Sequence, residues 1–558
     1  MNRSKQFIPS FISLLLFGLS AFSQTKTNDN KLLKNQSWQL LDYQQDSVYG
    51  ASVNRAYKEL LKGKKSHPVI VAVIDEGVDI THEDLQGHIW TNKREIPGNG
   101  IDDDKNGYTD DIHGWNFLGG KDGKMIYATN SEADREYARL LPQYSSIKDA
   151  SQVLDKKQYQ YFLRVKKIHL KDSIGRNADN YTEESMYLDQ FIAAASVIQK
   201  ATQKQSIYHK DVESFQPKDS ITDSAKKFLL DFFSEPNPRF ELMSLDSCIR
   251  MGKEFLVTIK DDQSLYKQVK ADPFELRREI VGDDPFNIND RNYGNNIVGD
   301  KYADHGTHCS EIVSAVRNNS IGMDGVADNV FIMALRAVNT LHFGDEMDKD
   351  IALSIRYAVD NGAKIISMSF GKNFSPQKEW VDNAVKYAEK KGVLLVHAAG
   401  NDHQNIDTVS FYPNARFIGS TESAKNLITV GAISSDTGLT ITASFSNYGQ
   451  KEVDLFSPGV DIYSSVPGDK YQYNSGTSMA TPLVAGVAAL ILEYYPNLTA
   501  KQLKDIMMKS VTSLKGKTVY KPGTKEKVDF STLCVSGGVI NAYKALQLAA
   551  KVNSRERK

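Results

Sequence analysis

Two kinds of apolar run alternate along much of the chain. Val69-Ile70-Val71-Ala72-Val73-Ile74 is continuous, mostly β-branched and ends in Asp75, the pattern of a strand buried on both faces of a parallel sheet. Val330–Leu335, Ala363–Phe370, Val393–Ala398 and Leu427–Ala432 repeat it. Between and after them, Asp350–Asn361, Pro376–Lys391, Thr499–Lys509 and Ile540–Lys551 carry helical spacing, and Lys31–Lys65 reads as a polar helical lead-in with Tyr57, Leu60 and Leu61 on its apolar face. Leu483–Ile491 is apolar all round, so it predicts a buried helix. Strands alternating with helices predict an α/β fold, a parallel β-sheet flanked by helices.

Residues 120–285 break this pattern. They are rich in Lys, Gln, Asp, Tyr and Leu, poor in Gly, and amphipathic over Asp189–Lys204 and Ser224–Phe233. A segment this long is no ordinary loop, and it predicts a large, mostly helical insertion.

Composition changes the picture in three places. The formal net charge of -1 excludes a bulk electrostatic partner such as nucleic acid. Arg3 and Lys5 precede an apolar run, Phe7–Phe22, and small residues lead to Ser23, which together predict a signal peptide over residues 1–23. The run is short for a membrane span, so the expectation is an exported protein, secreted or periplasmic, without a stable membrane anchor. Cys248, Cys309 and Cys534 are odd in number and widely spaced, which predicts buried free thiols rather than a disulfide framework.

The candidate chemistry begins at Asn474-Ser475-Gly476-Thr477-Ser478-Met479-Ala480-Thr481-Pro482, just before the apolar helix. A serine there is either a helix cap or a nucleophile, and a nucleophile needs a base and an orienting carboxylate. Asp75 stands at a strand end and His305 at a helix start, and Asp, His, Ser is one of the chain orders in which that geometry occurs. A second candidate is Asp102, Asp104, Asn106 and Asp110 with Gly107 at the turn. This is the first half of a calcium loop whose twelfth position holds His113 instead of Glu, and its alternative is a solvated acidic turn.

Val-Ile-Asp-Glu-Gly at 73–77, His305-Gly306-Thr307-His308 and Gly476-Thr477-Ser478-Met479-Ala480-Thr481-Pro482 resemble the aspartate, histidine and serine boxes of the subtilisin-like serine proteases. The resemblance implies a serine endopeptidase working through an acyl-enzyme, with Ser478 as nucleophile, His305 as general base and acid, and Asp75 as orienting carboxylate. It implies further that Asn401, in Ala398-Ala399-Gly400-Asn401, donates to the oxyanion. Ser369, Phe370 and Gly371 would bind an extended polypeptide substrate as an added strand, with Ala399 and Gly400 in the opposite wall. It also implies one structural Ca2+ held by Gln45, Asp84, Arg317, Asn319, Ile321 and Met323, the first two and Asn319 through side chains and the others through carbonyls.

By the same resemblance, residues 24–119 and 286–548 are two parts of one peptidase domain interrupted by the insertion, with a polar tail at 549–558. Three departures stand out: Glu311 where a small residue is usual, Leu483 where His is common, and the insertion itself. The stretch between Ser23 and Gln45 is too short for a folding-assisting propeptide, which leaves the insertion as a candidate for part of that role. Oligomeric state and physiological substrate have no sequence signal.

Overall fold

In the computed structural model, residues 37–147, 153–175, 178–202, 207–233, 244–340 and 344–556 are described. The expected signal peptide and the last two residues of the expected tail lie outside them. The described chain divides into two compact units, one over Val153–Lys270 and a larger one from the chain on either side.

The larger unit is built on strands β1 (Val69–Asp75), β2 (Gly114–Asn116), β3 (Val330–Arg336), β4 (Ile365–Met368), β5 (Leu394–Ala398), β6 (Leu427–Ile433), β7 (Leu455–Pro458), β8 (Ile462–Val466), β9 (Lys470–Asn474), β10 (Thr512–Ser513), β11 (Thr518–Tyr520), β12 (Lys527–Asp529) and β13 (Gly538–Val539). Nine of them form one sheet in the order β10-β13-β7-β6-β5-β4-β1-β3-β2. Every pairing in it is parallel except β10 with β13 at the edge. Its helices are α1 (Glu132–Tyr144), α2 (Asp304–Ser314), α3 (Asp348–Asp360), α4 (Lys378–Lys391), α5 (Thr477–Tyr494), α6 (Ala500–Lys509) and α7 (Ala542–Glu556).

Side chains alternate across a strand, so a continuous apolar run serves two cores at once. Val71 and Val73 of β1, with Leu394 and Val396 of β5, pack in the core that holds α5 and the apolar side of α2. Ala72 and Ile74, with Leu395, face the opposite core, against α3 and α4. The expected α/β architecture, a mostly parallel sheet flanked by helices, is the one observed. α5 is apolar and long enough to pass for a membrane span, yet 89% of that window is buried inside the unit.

The lead-in is not one helix. It is two short helical turns, Tyr43–Asp46 and Val53–Ala56, followed by a wider turn over Tyr57–Leu61. Trp38 and Leu40 are drawn into the core, and the chain doubles back so tightly that a Cβ on Gly50 would stand 2.5 Å from the carbonyl oxygens of Leu41 and Trp38. Core burial here overrides the helical spacing.

The Val153–Lys270 unit is helical: Lys156–Gly175, Ala178–Thr202, His209–Ser214, Ser220–Phe232 and Leu245–Tyr266. It has its own core, in which Leu188, Phe191, Ala195 and Ile198 meet Leu229, Phe232 and Ile249.

A buried acid near the end of α5 makes a stability prediction. Glu493 is fully buried and accepts a hydrogen bond from Asn329 N at 2.9 Å. Burial, opposed by that hydrogen bond and reinforced by the charge of Asp328, pushes its carboxyl up to about 9. The folded value exceeds the unfolded one, so the stability it contributes is complete below the ordinary carboxylate pKa and is lost as pH rises toward 9. Glu493→Gln is expected to raise the urea unfolding free energy at pH 8 by about 2 kcal/mol and to change it little at pH 4.5.

Candidate active site

The strands deliver their polar groups at the carboxyl edge of the sheet. β1 ends on Asp75, β4 runs into Ser369-Phe370-Gly371, and β5 into Ala399-Gly400-Asn401. β1 and β4 are neighbours although β2 and β3 intervene in the chain, and such a reversal opens a crevice beyond the strand ends.

Helix α2 starts against the end of β1. A Cβ on Gly306 would stand 2.0 Å from Gly77 O and 3.0 Å from the Asp75 Cβ, so the approach requires a glycine. Asp75 is buried, and its Oδ1 accepts from Glu76 N at 2.9 Å and lies 2.8 Å from His305 Nδ1. With a carboxylate accepting at Nδ1, the ring proton sits there and Nε2 is left to act as base.

Burial works against a charged His305, but the Asp75 charge and then the Cys309 thiol, 4.0 Å from Nδ1, outweigh it and hold the imidazole well above its ordinary value. His308, one turn on, goes the other way: burial and then the charge of His305 push it down to about 3, so it stays neutral. Glu76, next to Asp75, has no role that its sequence position signals. Its Oε1 accepts from His305 N at 2.7 Å, which fixes the first turn of α2, and burial holds its carboxyl well above the ordinary range.

Helix α5 carries Ser478 in its first turn. Pro482 has no N–H to return to the carbonyl four residues earlier. The Ser478 carbonyl is therefore open, and Ser369 Oγ donates to it at 2.8 Å and Cys309 Sγ at 3.5 Å. Pro482 thus frees the carbonyl through which the serine turn is tied to the β4 loop and to α2. Ser478 Oγ itself donates to Ser369 O at 3.1 Å, and no hydrogen bond joins it to His305 among the described residues. The serine–imidazole link is left to a rotation of the Ser478 side chain, consistent with the looseness of such contacts before substrate binds.

Asn401 is clamped rather than free. Its Oδ1 accepts from Thr477 N and from Thr477 Oγ1, both at 2.9 Å, while Gly400 N donates to Thr477 Oγ1 at 3.2 Å. The amide oxygen is thereby spent at the start of α5, and Nδ2 is the donor that remains, beside the unsatisfied N–H groups of the helix N-terminus. The expected oxyanion role of Asn401 is tested by Asn401→Ala, for which that role predicts a kcat lower by about 10²- to 10³-fold with little change in KM.

In the segment expected to bind substrate, Ser369 and Phe370 are buried, and Phe370 O lies 2.7 Å from His397 Nε2. His397 is pushed down to about 4 by burial, so a neutral Nε2–H donates to that carbonyl and removes it from use by a peptide. Ala399 is fully buried, and Gly400 adopts φ +100°.

The expected calcium ligands divide. Asp84 is buried; Asn319 Nδ2 donates to its Oδ1 at 2.6 Å and Met323 N to its Oδ2 at 3.3 Å. Burial and then the neighbouring Glu311 push the Asp84 carboxyl up to about 7. Glu311, also fully buried, lies 2.6 Å from His82 Nδ1. The buried Asp84 carboxylate is the oxygen donor of this set that suits a hard cation, while Glu311 is engaged by His82. Ile321 N donates to Asn319 Oδ1 at 3.0 Å, Gln45 Nε2 donates to Glu59 at 2.7 Å, and the Arg317 guanidinium donates to Asn54 at 3.1 Å and to Gly325 O. The hydrogen bonds therefore gather Asp84, Asn319, Ile321 and Met323 and direct the Gln45 side chain to another partner, while the Arg317 ligand expected here is its carbonyl, on which its guanidinium contacts have no bearing.

In the acidic loop, the carboxylate absent from the twelfth position is matched by one from upstream. Glu95 accepts from Asp104 N and Asp110 N, both at 3.0 Å, and Glu95, Asp102 and Asp104 each present an oxygen within 4.8 Å of the others. His113 Nδ1 lies 2.8 Å from Trp90 O and faces away from that role. The signal for Glu95 was its carboxylate just ahead of the Gly-rich turn.

Comparison with known proteins bears on this geometry. A family model described as "Subtilase family" matches residues 66–527. The chain is 44% identical over 187 residues to "Thermophilic serine proteinase" of Bacillus sp. (strain AK1), a match covering 34% of this chain and 42% of that protein. It is 35% identical over 244 residues to "Thermitase" of Thermoactinomyces vulgaris, covering 44% of this chain and 75% of that one. Among solved structures, it is similar to a "cold adapted subtilisin-like serine proteinase" with TM-score 0.35 and 29% identity, over 45% of this chain and 78% of that chain.

Proposed function

The chain belongs to the subtilase family of serine-type endopeptidases, and from that premise we propose that it is an exported enzyme hydrolysing peptide bonds through an acyl-enzyme on Ser478. The Ser478 Oγ attacks the scissile carbonyl carbon, forming the Oγ–C bond, while His305 Nε2 takes the hydroxyl proton. Asp75 holds the imidazole by its Nδ1–H and stabilises the imidazolium that forms. The developing oxyanion accepts from Asn401 Nδ2 and Ser478 N. His305 then gives its proton to the leaving amine as the C–N bond breaks. Water, deprotonated by the same imidazole, releases the acid and regenerates Ser478.

The observation that carries this reading is the Asp75–His305 contact of 2.8 Å, buried on its Asp75 side, in the crevice that also receives the first turn of α5. Substrate main chain pairs with the Ser369-Phe370-Gly371 edge, which favours polypeptides over small esters. Export rests on the charge and apolar pattern of residues 1–23. Residues 24–119 and 286–548 are read as one peptidase domain interrupted by 120–285; in support, β3 from the second part pairs with both β1 and β2 from the first. Asp84 and Asn319 are the residues that would hold a structural calcium, whose charge would relieve the burial of Asp84.

The test is digestion of casein, an unstructured protein, by the purified chain with and without a fluorophosphonate that modifies serine nucleophiles. Proteolysis abolished by the reagent is expected. A folded chain that neither reacts nor digests casein would replace the enzyme by a peptide-binding protein on the same fold.

A further inference from the structure

The two loops that flank Ser478 face each other through glycines, and one aromatic ring stands between them. A Cβ built on Gly371 would meet Phe411 Cε1 at 2.4 Å and Cζ at 2.5 Å; one built on Gly400 would meet Cζ at 2.8 Å and Cε2 at 3.1 Å. The same tip of the same ring thus touches both walls of the recess beside the nucleophile.

The ring is held there from several sides. Lys372 N donates to Tyr412 O at 3.0 Å and Tyr412 N to Lys372 O at 2.9 Å, so the chain carrying Phe411 is paired with the substrate edge itself. Asn414 Nδ2 donates to Phe411 O at 2.9 Å, and the His397 ring lies 5.9 Å from the Phe411 ring, centroid to centroid.

Beyond the ring is a cavity of about 260 Å³, lined by Phe411 itself and by His397, Ile406, Thr429 and Lys378 among others, but by neither glycine. Its lining is mixed, with Asp407, Arg416 and Glu452 beside the apolar groups, and its volume would take an aromatic side chain if the ring did not bar the way.

We propose that Phe411 sets the specificity of the enzyme by plugging the recess between Gly371 and Gly400, so that the residue on the acyl side of the scissile bond must be small: glycine, alanine or serine. This rests on the peptidase reading above. A substrate side chain that enters between the two loops meets the ring, and a leucine or phenylalanine displaces either the ring or its own main chain from the edge. The cost appears as lost transition-state binding, because the main chain is held away from Ser478. His397, kept neutral and donating to Phe370 O, fixes the back wall without offering a charge to the substrate.

The test uses the full chain and peptide anilides differing only in the acyl-side residue, alanine, leucine or phenylalanine. Wild type is expected to favour alanine over phenylalanine by at least about 10-fold in kcat/KM, and Phe411→Ala to shift that ratio toward phenylalanine by at least about 10-fold. Cleavage sites in casein, mapped by mass spectrometry with the wild type alone, provide a measurement independent of how the variant folds, and small residues are expected on the acyl side. Wild-type cleavage after leucine or phenylalanine as readily as after alanine would overturn the proposal, as would an unchanged ratio in a folded, fluorophosphonate-reactive variant. Either result leaves the peptidase reading intact. Absence of both fluorophosphonate reaction and casein digestion in the wild type would overturn the peptidase reading and this proposal together.

Discussion

Ser478→Ala is expected to lower kcat for peptide hydrolysis by about 10⁶-fold, the size of loss known for a Ser-His-Asp triad deprived of its nucleophile, while KM stays near the wild-type value. The Oγ donates to Ser369 O, whereas the Ser478 carbonyl, which ties the turn to Ser369 and Cys309, is untouched by the substitution. The fold around α5 should therefore survive, and equal thermal unfolding of the two proteins would show it. What remains after the change is water as nucleophile in a site that still offers Asn401 Nδ2 and helix N–H groups, a residual acceleration of about 10³- to 10⁴-fold over solution. Stopped assays on a peptide anilide at high enzyme concentration measure the remainder. A fall of only a few-fold would mean that another group performs the attack.

Asp75→Asn is expected to lower kcat by about 10⁴-fold and to move the pH profile. An asparagine amide at this position donates toward Nδ1, which forces the ring proton onto Nε2 and removes the base. The profile follows from the balance at His305, where burial disfavours the charged ring and Asp75, then Cys309, overcome it. Activity needs the neutral ring, and the wild-type pKa is raised, so the acid limb of kcat/KM should lie above the ordinary imidazole value of about 6.5, with activity gained as pH rises through it. In Asp75→Asn the largest raising influence is gone and burial acts against charge, so the limb should shift to lower pH. A wild-type limb at or below about 6.5, or one that Asp75→Asn leaves in place, would contradict this.

The strands of the central sheet were legible because residues buried on both faces are mostly apolar; β1, β4 and β5 fall within the runs that declare them, and β3 and β6 pass theirs by one residue. β2, β10 and β13 have three residues or fewer, too few to show a period; β2 and β13 pair with the longer β3 and β7, and β10 pairs with β13 at the edge. Asp75, His305 and Ser478 could be picked out because each sits where an element begins or ends, a place with a composition of its own. Interactions across distant chain positions left no such mark. The Thr477 clamp on Asn401, the ring of Phe411 between Gly371 and Gly400, and Glu95 reaching into the acidic loop all depend on how the chain closes on itself. The change of texture near residue 120 was visible, but the packing of α1 was not: Glu132 pairs with Arg135 and also with the buried Lys372 at 2.7 Å, and this buried network anchors the helix to the larger unit.

The central claim is that Ser478 is a nucleophile armed by His305, and the most direct measurement is peptide mapping by mass spectrometry after reaction of the whole chain with a fluorophosphonate. One adduct per molecule, located on Ser478 and lost in His305→Ala, is the predicted result. An adduct on a different serine, or labelling of Ser478 that His305→Ala leaves undiminished, would contradict it.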